Sequence, residues 1–342
     1  MKFLIAGLGS IGRRHFRNLI ALGEKEIVLL RTRKGTLPDE ELAGYPVETD
    51  LHEALLEHRP DAVIVANPTS LHLDVAIPAA QAGCHILLEK PVSNSLDGLD
   101  VLQREAQKSG SRILVGFQFR YHPTLNQARE LIHSDQIGKV LTVHAHWGEY
   151  LPQWHPWEDY RQSYAARADL GGGVIVTLTH PLDYLRYLLG DVESLWSFNG
   201  HISPLEVDVE DVAEIGLKFA NGAVGGVHVN YFQRPPVHRL EIVGTRGTLR
   251  WDSADGILHS QRMPAPFGSY SDQPPAPVTE SFSPPQGFER NQLFLAQTRH
   301  FIEVVRREKE PVCTLEDGIM ALRLALAAYR SRETGRSVSI QG

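Results

Sequence analysis

The chain has 342 residues, 42% of them hydrophobic and 22% charged, with a formal net charge of −7. That length suggests about two domains with ample core, and the acidic balance argues against nucleic-acid binding as the main task. No apolar run is long enough to span a bilayer, so no membrane association is expected. The two cysteines, Cys84 and Cys313, lie far apart in apolar settings and read as buried thiols of a reducing cytoplasm, not as a disulfide framework or zinc site.

Phe3 to Ala6 form a short apolar run that predicts a buried strand, and Met1-Lys2-Phe3 leads straight into it, unlike a signal peptide. Gly7-Leu8-Gly9-Ser10-Ile11-Gly12 follows, and Phe16, Leu19 and Ile20 then recur at helical spacing up to Gly23. Strand, tight glycine turn and helix make the phosphate-binding corner of a dinucleotide fold: Gly7 allows the turn, Gly9 lets backbone approach a pyrophosphate, and Gly12 lets the helix pack on the strand. The free N–H groups of the helix start, Ser10 and Ile11 among them, favour phosphate. Ile27 to Leu30 predict the second strand. After it come Arg31, Thr32 and Arg33, where an NAD site usually has a carboxylate for the ribose hydroxyls. Arginine and threonine suit a 2′-phosphate, so the pattern favours NADP over NAD.

Ala62 to Ala66 predict a third parallel strand, ending in Asn67-Pro68-Thr69-Ser70-Leu71-His72. Asn67, Pro68, Thr69 and His72 there read both as a helix-capping turn and as cofactor contacts at the sheet's carboxyl edge. His85 to Leu88 predict another strand, ending in Glu89-Lys90-Pro91 at the same edge, and Ile113 to Phe119 the last strand of a first domain over 1–121.

From residue 122 to 342 the pattern becomes strands in succession. Leu141, Val143, Ala145 and Trp147 alternate with Thr142, His144 and His146, and Ala213, Ile215, Leu217 and Phe219 with Glu214, Gly216 and Lys218. Period-two alternation predicts a sheet with one packed face. His144 and His146 share a strand face but lack a third ligand at supporting spacing, so no metal is expected. The 150–170 stretch holds Trp154, Arg161 and Tyr164, suited to a sugar ring or an anion or, equally, to a clasp between domains or subunits. Past Gly171-Gly172-Gly173, helical spacing puts Thr177, His180, Asp183, Tyr184 and Tyr187 on one side. Pro181 requires either a kink or a helix that starts near His180. Residues 263–287 read as an irregular excursion suited to a lid, and Phe301 to Val305 and Leu322 to Tyr329 as two amphipathic helices covering the second sheet.

The glycine loop, Asn67-Pro68-Thr69, Glu89-Lys90-Pro91, Gly116 to Tyr121, the triple glycine and His180-x-x-Asp183 resemble the glucose–fructose oxidoreductase, inositol dehydrogenase and rhizopine-catabolism (Gfo/Idh/MocA) family over nearly the whole chain. The resemblance implies an N-terminal Rossmann dinucleotide-binding domain, a C-terminal α+β domain with a large, mostly antiparallel sheet, and homodimers or homotetramers formed through that sheet. It also implies NAD(P)-dependent hydride transfer on a secondary alcohol or ketone of a sugar, nucleotide-sugar or polyol. Its cofactor contacts would include Glu89 and Lys90. Lys90 and His180 would be catalytic, meeting across the domain cleft, with Thr177, Arg161, Tyr164 and Trp154 binding substrate and Asp183 binding a substrate hydroxyl or orienting His180. Many members carry Asp four residues before the histidine, where this chain has Val176, with Thr177 the nearest polar residue. That departure keeps two other readings open: a non-catalytic dinucleotide or sugar sensor, and a reductase of a non-sugar substrate.

Overall fold

The computed structural model describes residues 1–31, 37, 40–273 and 275–340. In chain order the first elements are β1 (Lys2–Ala6), α1 (Ser10–Ala21), β2 (Glu26–Leu30), β3 (Val47–Glu48), α2 (Leu51–His58), β4 (Ala62–Val65), α3 (His72–Gln81), β5 (His85–Leu88), α4 (Leu99–Ser109) and β6 (Ile113–Val115). Then come α5 (Pro123–His133), β7 (Val140–Tyr150), α6 (Val174–Thr177), α7 (His180–Leu189), β8 (Val192–Gly200), β9 (Val212–Phe219), β10 (Val224–Asn230), β11 (Phe232–Gly244), β12 (Gly247–Asp252), β13 (Leu258–Arg262) and β14 (Val278–Phe282). The chain closes with α8 (Asn291–Val305), α9 (Leu315–Thr334) and β15 (Val338–Ser339).

Two compact units result. The first holds Met1–Gln118, Arg167–Gly172 and Glu289–Leu322, and the second the remainder. Unlike the contiguous 1–121 and 122–342 division, the spatial one takes two later segments into the first unit. The first unit is built on a six-stranded parallel sheet in the order β3-β2-β1-β4-β5-β6. Phe3, Leu4, Ile5 and Ala6 are all at most 1% exposed. A strand apolar on both faces needs helices on both. One cover comes from late in the sequence: Phe301 of α8 meets Phe3 at 6.5 Å, and Phe294 meets His15 at 6.4 Å. The sequence pattern alone predicts cover for the second sheet from this helix, whereas α8 lies in the first unit. An amphipathic period fixes which residues of a helix are buried but not what they are buried against. The order reverses between β1 and β4, so the carboxyl ends of those strands form the ligand-binding crevice of such a sheet. The last strand is shorter than Ile113 to Phe119, because residues 118–121 coil into a 3-10 turn.

The second unit carries a nine-stranded sheet, β14-β13-β12-β11-β7-β10-β9-β8-β15, antiparallel except where β7 meets β10. Burial alternates along β9, and along β7 from Val143 to Trp147, as the sequence predicts; at the start of β7 Val140 is buried and Leu141 only half-buried. On β10, Asn230 is fully buried although His228, two residues before it on the same face, is half-exposed. The 263–287 excursion includes a strand, β14, paired to β13 from Leu258↔Phe282 to Arg262↔Val278. The 150–170 stretch folds into successive 3-10 turns. At Pro181 the chain takes the second alternative: α6 ends at Thr177, α7 begins at His180, and the proline sits in the first turn, where its missing N–H costs nothing.

Candidate functional site

The glycine corner is defined by what its glycines leave room for. Gly7 has φ +93°, and a Cβ there would lie 2.5 Å from the Asn67 nitrogen. A Cβ on Gly12 would lie 1.9 Å from the Gly7 carbonyl oxygen, so glycine is required where α1 packs on the turn. Among the described residues, a Cβ on Gly9 would meet nothing within 4 Å, and no side chain caps α1. Open space therefore faces a helix start with unsatisfied N–H groups; Ser10 is exposed there and Ile11 half-buried. Beside it, Asn67 donates Nδ2–H to the Leu71 carbonyl at 2.8 Å, while its Oδ1 is buried with no hydrogen-bond partner among the described residues. An open cradle, free backbone donors and an orphaned acceptor fit a dinucleotide pyrophosphate and its neighbouring groups.

Pro68 precedes the turn that buries Thr69. The first glycine of the triple run packs there, a Cβ on Gly171 falling 3.1 Å from Thr69 Cβ. His72 is fully buried, with Nδ1 2.9 Å from the Pro91 carbonyl and Nε2 3.0 Å from that of Asn67. Burial pushes its pKa down against the opposing charge of Glu89 and the carbonyls. His72 thus ties the Asn67 turn to the segment after Lys90. Arg31, half-buried, follows β2, its N–H bonded to the Glu48 carbonyl at 3.0 Å. Thr32 and Arg33 lie outside the described residues. Glu89 points inward: Oε1 is 2.8 Å from His15 Nε2 and Oε2 accepts the Lys90 N–H at 3.2 Å. Burial alone would raise the Glu89 pKa, but the His15 bond and the neighbouring positive charges hold it below the usual carboxylate range. Lys90 itself is half-exposed.

In the second unit His180 opens α7, its ring stacked on Trp147 at 5.3 Å and edge-on to Phe119 at 5.1 Å. Asp183, one turn on, faces Arg120, which donates Nη2–H to Oδ1 at 2.7 Å and Nε–H toward both oxygens at 3.1 Å. Tyr231 donates its O–H to the Ala165 carbonyl at 3.2 Å, and Tyr164 and buried Thr177 both act on the same phenol. Trp154 meets the Tyr231 ring edge-on at 5.5 Å. Three of the five substrate candidates thus gather round one tyrosine. Arg161 stands apart, exposed and paired with Asp159 at 2.9 Å and Glu206 at 2.6 Å.

Sequence reasoning missed Tyr231, Arg120, His15 and Glu210. Glu210 Oε1 accepts Tyr329 O–H at 2.8 Å and Ile175 N–H at 3.0 Å, and burial raises its pKa. A Cβ on Gly173 (φ +119°) would lie 2.6 Å from that carboxyl group, so the glycine run admits a buried acid at the start of α6. The only signal was an acidic pair, Glu210-Asp211, directly before an alternating strand.

Fold and corner together define a Rossmann dinucleotide-binding protein with a second, sheet-based unit. Residues 1–117 match the model described as "Oxidoreductase family, NAD-binding Rossmann fold", and residues 129–340 match "Oxidoreductase family, C-terminal alpha/beta domain". The chain belongs to the Gfo/Idh/MocA oxidoreductase family. It is 29% identical to scyllo-inositol 2-dehydrogenase (NAD(+)) of Bacillus subtilis (strain 168), over 98% of this chain and 95% of that protein. It is 25% identical to D-xylose 1-dehydrogenase (NADP(+)) 2 of Haloferax volcanii, over 99% and 100%. In fold it is similar to the WlbA dehydrogenase of Bordetella pertussis, solved with NADH and UDP-GlcNAcA, with a TM-score of 0.81 at 22% identity, covering 100% and 99%.

Proposed function

We propose that this chain transfers a hydride between NADP, preferred over NAD, and a secondary alcohol or ketone of a sugar, nucleotide-sugar or polyol. The open cradle at Gly9 beside the uncapped α1 carries the cofactor part of this reading. The relatives named for inositol and xylose support the substrate class. Bound nicotinamide supplies the hydride chemistry; the protein orients the reactants and manages one proton. His180 is the general acid/base, its ring plane fixed by Trp147 and Phe119. Lys90 hydrogen-bonds the reacting oxygen and, as a cation, stabilises the alkoxide that develops there. Thr177 offers a hydroxyl, Trp154 and Tyr164 offer ring faces to a sugar, and Arg161 meets an anionic part of the substrate. Asp183, engaged by Arg120, orients the turn that starts at His180. Arg31, Thr32 and Arg33 hold the 2′-phosphate.

The protein acts in the cytoplasm as a homodimer or homotetramer. The open face of the nine-stranded sheet supports assembly: it exposes Trp196 (37%) and Phe198 (67%). It also carries a groove of about 510 Å³ lined by His144, His146, His228, Arg239 and Arg250 among others. Apolar groups beside paired charges suit a self-complementary contact. Turnover of NADPH and NADH against a panel of polyols, sugars and their keto forms tests the function, and light scattering tests the assembly. Dinucleotide binding without turnover of any substrate would assign a sensor. A monomer of 38.1 kDa at micromolar concentration would remove the interface.

A further inference from the structure

We propose that His15 is a positioning residue for Lys90, acting through the Glu89 carboxylate. The inference rests on the role given to Lys90 above. His15 lies on α1, the helix whose start forms the phosphate end of the corner, and is 0% exposed. Its Nε2 is 2.8 Å from Glu89 Oε1, seventy-four residues away in sequence. The second oxygen of the same carboxylate accepts the Lys90 backbone N–H at 3.2 Å. One carboxylate thus joins the pyrophosphate helix to the backbone of the proposed catalytic lysine.

Two further features belong to this arrangement. A Cβ on Gly116 would come within 2.9 Å of the Glu89 carboxyl carbon, so the end of β6 leaves room for the acid only because residue 116 is glycine. Among the described residues, His15 Nδ1 is buried without a hydrogen-bond partner. An ionised carboxylate only accepts, so Nε2 carries a proton and donates it to Oε1. A ring that faces Glu89 alone holds the carboxylate's direction and nothing else polar. Among the described residues, the other charged or titratable groups acting on Glu89 are Lys90 from its own segment, Arg14 from α1 and His72 from α3.

His15→Leu leaves the Glu89 charge buried without its histidine donor. Glu89 then takes up a proton, its grip on the Lys90 N–H slackens, and the ammonium loses an adjacent negative charge. Three readouts follow on the whole enzyme. The kcat of His15→Leu should fall about 10- to 100-fold, the usual result of an ångström-scale misplacement, with dinucleotide affinity by fluorescence titration kept within about threefold. The alkaline limb of the kcat–pH profile should move to lower pH. His15→Gln, which places an N–H near the same oxygen, should restore both kcat and limb. If His15→Leu does not fold, Gly116→Ala tests the same link by displacing the carboxylate from the other side and should lower kcat with affinity kept. Unchanged kcat in a folded His15→Leu, or parallel loss of cofactor affinity with no rescue by His15→Gln, overturns the inference. Lys90→Met separates it from the parent reading: full activity there removes the role of Lys90 itself, whereas an inactive Lys90→Met beside a fully active His15→Leu removes only this link.

Discussion

Arg120 and Asp183 form a two-pronged ion pair inside the second unit, with the guanidinium 5% and the aspartate 2% exposed. Removing either partner takes from a buried charge its opposite charge in this pair. Arg120→Met alone should therefore cost about 3–5 kcal/mol, read as a lowered urea midpoint. The double variant Arg120→Met/Asp183→Leu should recover much of that loss, because no charge is then stranded. If both variants melt like the wild type, the pair is not a stability element.

His122 should make the protein sensitive to mild acid. Burial among Phe119, Trp251 and Phe288 pushes its pKa down to about 4. Thr124 donates its hydroxyl to the Gly256 carbonyl, so His122 Nδ1–H donates to the Thr124 oxygen. The folded pKa lies below the unfolded value of about 6.5. The unfolded chain thus takes up the proton first, and stability is complete above about pH 6.5 and lost as pH falls toward 4. At about 1.4 kcal/mol per pH unit, this residue accounts for about 3 kcal/mol over that range. His122→Phe should flatten that part of the stability–pH curve. Other buried histidines slope the same way, so the measurement is the difference between the two proteins, and equal slopes would dismiss the effect.

His180→Ala should lower kcat about 10²–10⁴-fold while leaving dinucleotide affinity nearly intact, the usual consequence of losing a positioned acid/base. The double variant with Lys90→Met should be little worse than the worse single one, since groups acting as a unit are not additive. Full activity of His180→Ala would move proton transfer to another residue.

Cofactor choice is tested by the double variant Arg31→Ala/Arg33→Ala. Each lost charge-assisted hydrogen bond to a 2′-phosphate costs about 1.5–3 kcal/mol, roughly tenfold or more in affinity. NADPH should weaken by that factor or its square while NADH changes little, as read by fluorescence titration. Equal weakening of both would give these arginines another task, and wild-type preference for NADH would remove the assignment.

What the sequence determined by itself is local and periodic. The run Phe3 to Ala6, the three glycines and the apolar positions of α1 specify strand, turn and helix without help from the rest of the chain, because backbone φ and side-chain spacing act over a few residues. The alternation in β7 and β9 identifies the packed face for the same reason. Pro181 narrowed the start of α7 to two alternatives, and packing chose one. Tertiary structure alone decided which distant side chains share a polar contact. His15 and Glu89 are 74 residues apart, Arg120 and Asp183 are 63 apart, and α8 covers β1 from the far end of the chain. Periodicity reports how each element is turned, whereas partners across elements depend on the order and register of strands, which the buried surfaces of the whole unit select together.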